Sequence, residues 1–188
     1  LYSSNEDGTT DPPDQPTTTG TGKVVFVTST KHDGNLGGLA GADAICNGLA
    51  NDAGLSGYFK AWLSDSWTAM NQRSIQSDGP YTTVTGVVVA DNWEDLTDGD
   101  LQAPINVDET GTSVVSAASW AVWTNTNPDG SVSTTTKWNC YDWTVSKVAG
   151  GSNAPYGLLN LTTANWTHQD GAMGMYCATS NRLYCIEQ

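Results

Sequence analysis

Apolar positions are scarce up to residue 22 and then arrive in short runs of two different periods. Lys23 to Ser29, KVVFVTS, is β-branched and aromatic and predicts a strand. After the turn-like HDGNLGG, the stretch LAGADAICNGLANDAG sets Leu39, Ala42, Cys46, Leu49 and Ala53 at helical spacing, with Gly54 as a stop. Cys46 therefore faces a core. YFKAWLS alternates as a strand does, YTTVTGVVVA predicts a further strand, and NWEDL, centred on Trp93, predicts a turn. Residues 95 to 119 carry little regular pattern and are rich in Asp, Thr, Gly and Ser; loops of this length inside a compact domain are usually functional. AVWTN and KWNCYDW predict strands on either side of the turn signal NPDG, and GMYCATSNRLYCIE predicts a hairpin with Ser180 and Asn181 near its tip. One or two short helices beside many short strands, without regular alternation of the two, give an α+β class.

Residues 1 to 22, LYSSNEDGTTDPPDQPTTTGTG, have too few apolar side chains to order a packed element by themselves. They read as a linker or stalk preceding a domain over residues 23 to 188. Their Thr-Pro content favours an extended backbone, which also suits strand addition to a neighbouring subunit, with Thr17, Thr18 and Thr19 as the candidate assembly segment.

Composition narrows the classes of function. Seven Lys and Arg oppose twenty Asp and Glu, a formal charge of −13, so the surrounding field repels phosphate backbones and sulfated glycans. Nucleic acid and heparin are thereby disfavoured as partners. The longest aliphatic run, Val87 to Ala90, is far too short to span a bilayer. The first residue, Leu1 rather than Met, fits a mature product whose export signal has been removed. Four cysteines, Cys46, Cys140, Cys177 and Cys185, lie in apolar or aromatic segments, and paired as disulfides they imply an oxidising compartment, extracellular or at a cell surface. Four thiols allow three pairings, which the residues alone leave open. A nested arrangement, first with last and second with third, would close the chain on itself.

Several segments taken in order resemble a known family. GADAICNGLANDAGLSGYFKAWLSDS, VVADNWEDLTDGDLQAPINVDETG, WAVWTNTNPDGSVSTTTKWNCYDW and YCATSNRLYCIE resemble endostatin-like domains, which have a C-type-lectin-like fold, and bacterial endostatin-like surface proteins in particular. The resemblance runs from about Lys23 to Glu187 and implies the nested disulfides Cys46 to Cys185 and Cys140 to Cys177. It implies a non-enzymatic extracellular module for adhesion or for protein or glycan recognition. Departures from the pattern limit what carries over. The only arginines are Arg73 and Arg182 and the tail has no His, so neither heparin nor N-terminal zinc binding is transferred. The strand motif of calcium-dependent lectins reads Trp138-Asn139-Cys140 here, and their Glu-Pro-Asn loop is missing.

Candidate chemistry is sparse. Asp95, Asp98, Asp100, Asp108 and Glu109 place hard oxygen ligands on one loop, as calcium prefers, although the spacing is not that of an EF-hand. Asp residues capping turns of a solvated loop account for the same pattern. No cofactor other than calcium is indicated. His32 and His168 are the only histidines, no Gly-x-Ser-x-Gly elbow occurs, and GNLGGLAG fits no phosphate-binding spacing, so no catalytic residue is assigned. Of eight tryptophans, Trp62, Trp93, Trp123 and Trp138 lie in strand or turn segments and are expected in the core. Trp67 and Trp166, in polar stretches, are the candidate ligand-facing aromatics. Asn160-Leu161-Thr162 and Asn165-Trp166-Thr167 fit N-glycosylation acceptors. Two further readings remain beside recognition: a secreted subunit that builds filaments or arrays through its tail, and a calcium-dependent lectin.

Overall fold

The computed structural model describes residues 21–115, 120–133, 138–147, 153–169 and 174–188. Their elements run β1 (Lys23–Val27), α1 (Gly38–Asp52), β2 (Phe59–Ala61), α2 (Met70–Arg73), β3 (Tyr81–Thr83), β4 (Val88–Ala90), α3 (Trp93–Leu96), β5 (Ala121–Trp123), β6 (Asn153–Ala154), β7 (Tyr156–Leu158), β8 (Met175–Tyr176) and β9 (Arg182–Glu187). The class is α+β. The candidate assembly segment at Thr17, Thr18 and Thr19 lies outside the described residues.

Strand β9 is the axis of a mixed sheet ordered β4-β3-β1-β9-β5-β7, with β2 also paired to β9. On one side β9 runs antiparallel to β1, Phe26 opposite Cys185. On the other side two strands share it end to end: β5 lies parallel to its first half, Trp123 opposite Leu183, and β2 antiparallel to its second half, Ala61 opposite Cys185. The sequence RLYCIE suits this position because it is apolar on both faces. Tyr184 and Ile186 enter one core with Val25, Val27, Trp62 and Val122; Leu183 and Cys185 enter the other with Phe26, Phe59, Ala61 and Trp123. Successive side chains of each strand thus alternate between the two layers.

Helix α1 covers the second core. Its buried residues include Ala42, Cys46 and Ala50, and it ends in a Schellman motif: Leu55 N–H donates to the Ala50 carbonyl at 2.9 Å and Gly54 N–H to the Asn51 carbonyl at 3.0 Å. Gly54 sits at φ +75°, where a side chain would be strained. Helix α1 also blocks the free edge of β2. Asn47 accepts from Phe59 N–H at 2.9 Å and donates to the Phe59 carbonyl, while Asp43 accepts from Ala61 N–H at 2.9 Å. Asp43 pairs in turn with Arg73 of α2, whose buried guanidinium donates to the carbonyls of Ala61 and Leu63. The other sheet flanks are engaged as well: Gln102 N–H reaches the Val89 carbonyl and Gln169 N–H the Tyr156 carbonyl, each at 2.9 Å.

The long irregular segment after α3 covers the first core. Leu96, Leu101 and Ile105 are buried there, each worth about 1.5–3 kcal/mol of transfer free energy. The disulfides are Cys46–Cys185 and Cys140–Cys177, nested, and both lie in the second core. Among the described residues no helix is long and apolar enough to cross a membrane.

Four expected elements come out differently. NWEDL is the short helix α3 rather than a turn, capped by the Asn92 side chain, which accepts from Asp95 N–H at 2.9 Å. YTTVTGVVVA is two strands, because Gly86 at φ +84° turns the chain back and its N–H closes on the Thr83 carbonyl at 2.9 Å. Met175–Tyr176 pairs with Asn153–Ala154 and not with Arg182–Glu187, since β9 is taken up on both sides by β1, β2 and β5. The described part of KWNCYDW, residues 138–143, is not a strand; Cys140–Trp143 forms a tight left-handed turn.

Candidate functional site

Where β2 and β5 meet along β9, both chains must leave the sheet, and the groups they strip from its ladder are satisfied by a buried polar cluster. Ser64 N–H donates to the Thr124 carbonyl at 3.0 Å, and the hydroxyls of Ser64 and Thr126 lie 2.9 Å apart. The Trp62 indole N–H donates to the Thr167 hydroxyl at 2.7 Å, and that hydroxyl donates to the Thr126 carbonyl at 3.0 Å. The Ser64 carbonyl accepts from the Trp143 indole at 2.9 Å and from the Asn125 amide at 3.1 Å. Ser64, Thr124, Thr126 and Thr167 are fully buried, so this satisfied network forms a rigid base.

Backbone strain is concentrated on that base. Among the described residues the non-glycine positions with positive φ are Asn125 (46°), Cys140 (56°), Tyr141 (52°), Asp142 (53°) and Trp143 (64°). Each costs roughly 1–2 kcal/mol relative to the right-handed form. One local and two distant partners hold the turn in place. Asn139 Oδ1 accepts from Asp142 N–H at 2.9 Å, the Trp143 ring packs on Trp123 with centroids 5.7 Å apart, and Cys140 is fixed to Cys177. Gly34 lies against that disulfide so closely that a Cβ there would collide with the Cys140 sulfur.

The strained turn presents its side chains to the loop that follows β2. Asp65 Oδ1 accepts from Trp67 N–H at 2.8 Å and Thr68 N–H at 2.6 Å, folding the loop on itself. Ser66 N–H donates to Asp142 Oδ1 at 2.9 Å, and the Asn139 amide donates to the Ser66 hydroxyl at 3.1 Å and to Asp142 Oδ1 at 2.7 Å. Burial would push the Asp142 carboxyl up, but hydrogen bonds from the Ser66 hydroxyl, the Ser66 N–H and the Asn139 amide together hold it below its usual value. It stays ionised at neutral pH.

Three aromatic rings crown these two tethered loops. Trp67 is 86% exposed, Trp138 49% and Tyr141 52%, and the Trp138 and Tyr141 rings sit 6.1 Å apart. Trp67 is exposed, as expected of its polar stretch. Trp166 is not: it is fully buried, its ring 5.1 Å from Trp62 and 5.5 Å from Tyr184. Trp138, expected in the core, is half exposed, and Tyr141 carries no sequence signal beyond its place beside Cys140.

The acidic-loop residues are divided between two places. Asp95 and Asp98 line a shallow surface pocket with Asp91, Asn92 and Glu94. There Asp95 accepts from Asp91 N–H and the Gln102 amide, both at 2.7 Å, and Asp98 accepts from Asp100 N–H at 2.9 Å. Asp108 and Glu109 are buried elsewhere. One Asp108 oxygen accepts from the Thr110 and Thr112 N–H groups at 3.0 Å each and from the Thr110 hydroxyl at 2.7 Å. Glu109 accepts from Ser29 N–H at 2.9 Å and from the Ser29 hydroxyl. Burial lowers the pKa of the Arg182 guanidinium, and the charges of Asp108 and Glu109 beside it act in the opposite sense. Among the described residues no three His, Cys, Asp or Glu side chains are grouped to hold a metal ion.

No family model matches the chain, and no curated protein matches it.

Proposed function

We propose that the protein is a non-enzymatic extracellular recognition module of endostatin-like, C-type-lectin-like fold, and that it binds glycan on the surface formed by Trp67, Trp138 and Tyr141. The observation that carries this reading is the exposure of three aromatic rings on loops held rigid by Ser66, Asn139 and Asp142. Exposed aromatic faces stack on the C–H faces of pyranose rings, while neighbouring carboxylate and amide groups accept and donate hydrogen bonds to sugar hydroxyls. Rigid loops lower the entropy lost on binding. The −13 charge and the Asp65 and Asp142 carboxylates beside the rings direct this surface to neutral sugars rather than polyanions. The two disulfides fit an oxidising, extracytoplasmic setting.

A glycan array of wild type beside Trp67→Ala and Tyr141→Ala tests the reading. Wild type should retain neutral oligosaccharides in the presence of chelator, and both variants should lose them while keeping the native circular dichroism spectrum. Undiminished binding by both variants would refute it.

A further inference from the structure

A groove of about 420 Å³ opens on another part of the surface, beside β5 and β7. Its wall is Trp120, 49% exposed, with Tyr156, Leu158 and Met175 contributing apolar surface. Thr179 and Ser180 bring hydroxyls to its rim, and the exposed Lys31 brings a charge. No carboxylate lines it among the described residues, in a chain where acids outnumber bases twenty to seven. Of the other described cations near the sheet, Arg73 pairs with Asp43, Lys60 donates to the Arg73 carbonyl, Arg182 donates to the carbonyls of Thr28 and Ser29, and Lys23 at the start of β1 feels the charge of Glu187. Lys31 forms no ion pair with a described residue. The long-range negative field is screened over about 8 Å at physiological salt, so inside the groove the nearby ammonium governs.

We propose that this groove binds a single acidic sugar residue, a pyranose ring bearing a carboxylate, at a site separate from the neutral-glycan surface. Trp120 supplies the stacking face, Lys31 pairs with the carboxylate, and Thr179 and Ser180 bond ring hydroxyls. The volume falls in the range of small-ligand sites and accommodates one such ring. An apolar wall with one cation and a few hydroxyls matches a ligand with one flat face, one negative group and several hydroxyls.

The test is an NMR titration of the whole chain with glucuronic acid and with its uncharged methyl ester. Glucuronate should shift the Trp120 indole and the Lys31, Thr179 and Ser180 amides, and should bind about tenfold more tightly than the ester, as a hydrogen bond to a charged partner warrants. Lys31→Gln, a change at an exposed position, should equalise the two ligands, and added salt should narrow the difference. Equal affinities for acid and ester in wild type, shifts confined to the Trp67 indole, or no shift with glucuronate would each overturn the proposal. Failure here leaves the reading of the Trp67 surface standing, because that is scored with neutral oligosaccharides on a different indole.

Discussion

Ser66 N–H donates to Asp142 Oδ1 at 2.9 Å, joining two loops whose residues are 76 positions apart in the chain. Asp142 can receive this bond because its own backbone is left-handed, at φ 53°, which turns the carboxylate toward the loop after β2. The same bond places Trp67, the next residue, beside the turn that carries Tyr141. Strain in the backbone and exposure of the aromatics are two consequences of one local geometry, in keeping with the clustering of strained residues at binding sites.

The pH dependence follows from that carboxylate. Its folded-state pKa is depressed, so the stabilisation it gives is fully present above the unfolded value, about 3.9, and is lost as pH falls through the lower folded value. Affinity for a neutral oligosaccharide should therefore hold steady from pH 7 to about pH 4 and fall below that. Asp142→Asn should bind more weakly at neutral pH and show less of the acid transition. Calorimetric titrations across this range check both, and a wild-type affinity that declines between pH 7 and 5 would contradict the role given to Asp142.

Tyr141 separates stability from binding. At φ 52° it occupies a region that glycine enters at little cost, and its ring is half exposed. Tyr141→Gly should raise stability by about 1 kcal/mol through relief of the left-handed conformation, while removing one of the proposed stacking faces. Urea denaturation and glycan binding measured on the same variant should move in opposite directions. A variant less stable than wild type would show that packing of the Tyr141 ring on Trp138 outweighs the backbone strain.

Asp43 and Arg73 couple the helix to the sheet edge, with side chains 10% and 9% exposed. Asp43→Ala leaves the guanidinium without its carboxylate and the Ala61 N–H without its acceptor, and should cost about 3–5 kcal/mol. Replacing both residues by apolar side chains of similar volume should recover much of the loss, since an intact buried pair contributes little net stability. Denaturant midpoints of the single and double variants measure this coupling.

Periodicity exposed much of this architecture and little of the proposed binding surface. The β-branched and aromatic content of KVVFVTS and the helical spacing of Leu39, Ala42, Cys46 and Leu49 specify local geometry, and β1 and α1 occur where these signals put them. RLYCIE shows its strand character locally but not its neighbours, because four consecutive buried positions are what a strand covered on both faces requires, whichever strands flank it. The left-handed turn is hidden for a different reason. Apart from Asp142 its residues have no intrinsic preference for positive φ; Ser64, Cys177 and the bare surface of Gly34 impose it from far along the chain. Trp67 and Trp166 likewise sit in polar stretches of similar composition, yet only Trp166 finds Trp62 and Tyr184 to pack against. Thr85-Gly86, by contrast, carried a readable turn signal inside YTTVTGVVVA.

The two disulfides should fail differently. Cys46–Cys185 spans 139 residues and Cys140–Cys177 spans 37, so the chain-entropy model assigns them about 5 and about 4 kcal/mol respectively. The outer bridge joins α1 to the central strand, and its loss should lower stability throughout the domain. The inner bridge anchors the first residue of the left-handed turn, whose conformation is otherwise disfavoured at each of its residues. Replacing Cys140 and Cys177 by Ala should therefore abolish glycan binding in a protein that remains folded, as the turn relaxes and withdraws Tyr141 and Asp142 from the Ser66 loop. Replacing Cys46 and Cys185 by Ala should give the lower denaturation midpoint and retain binding in whatever fraction is folded. If the inner-pair variant binds oligosaccharide as wild type does, the remaining partners of the turn, Asn139 and Trp143, suffice to hold it and the bridge serves stability alone.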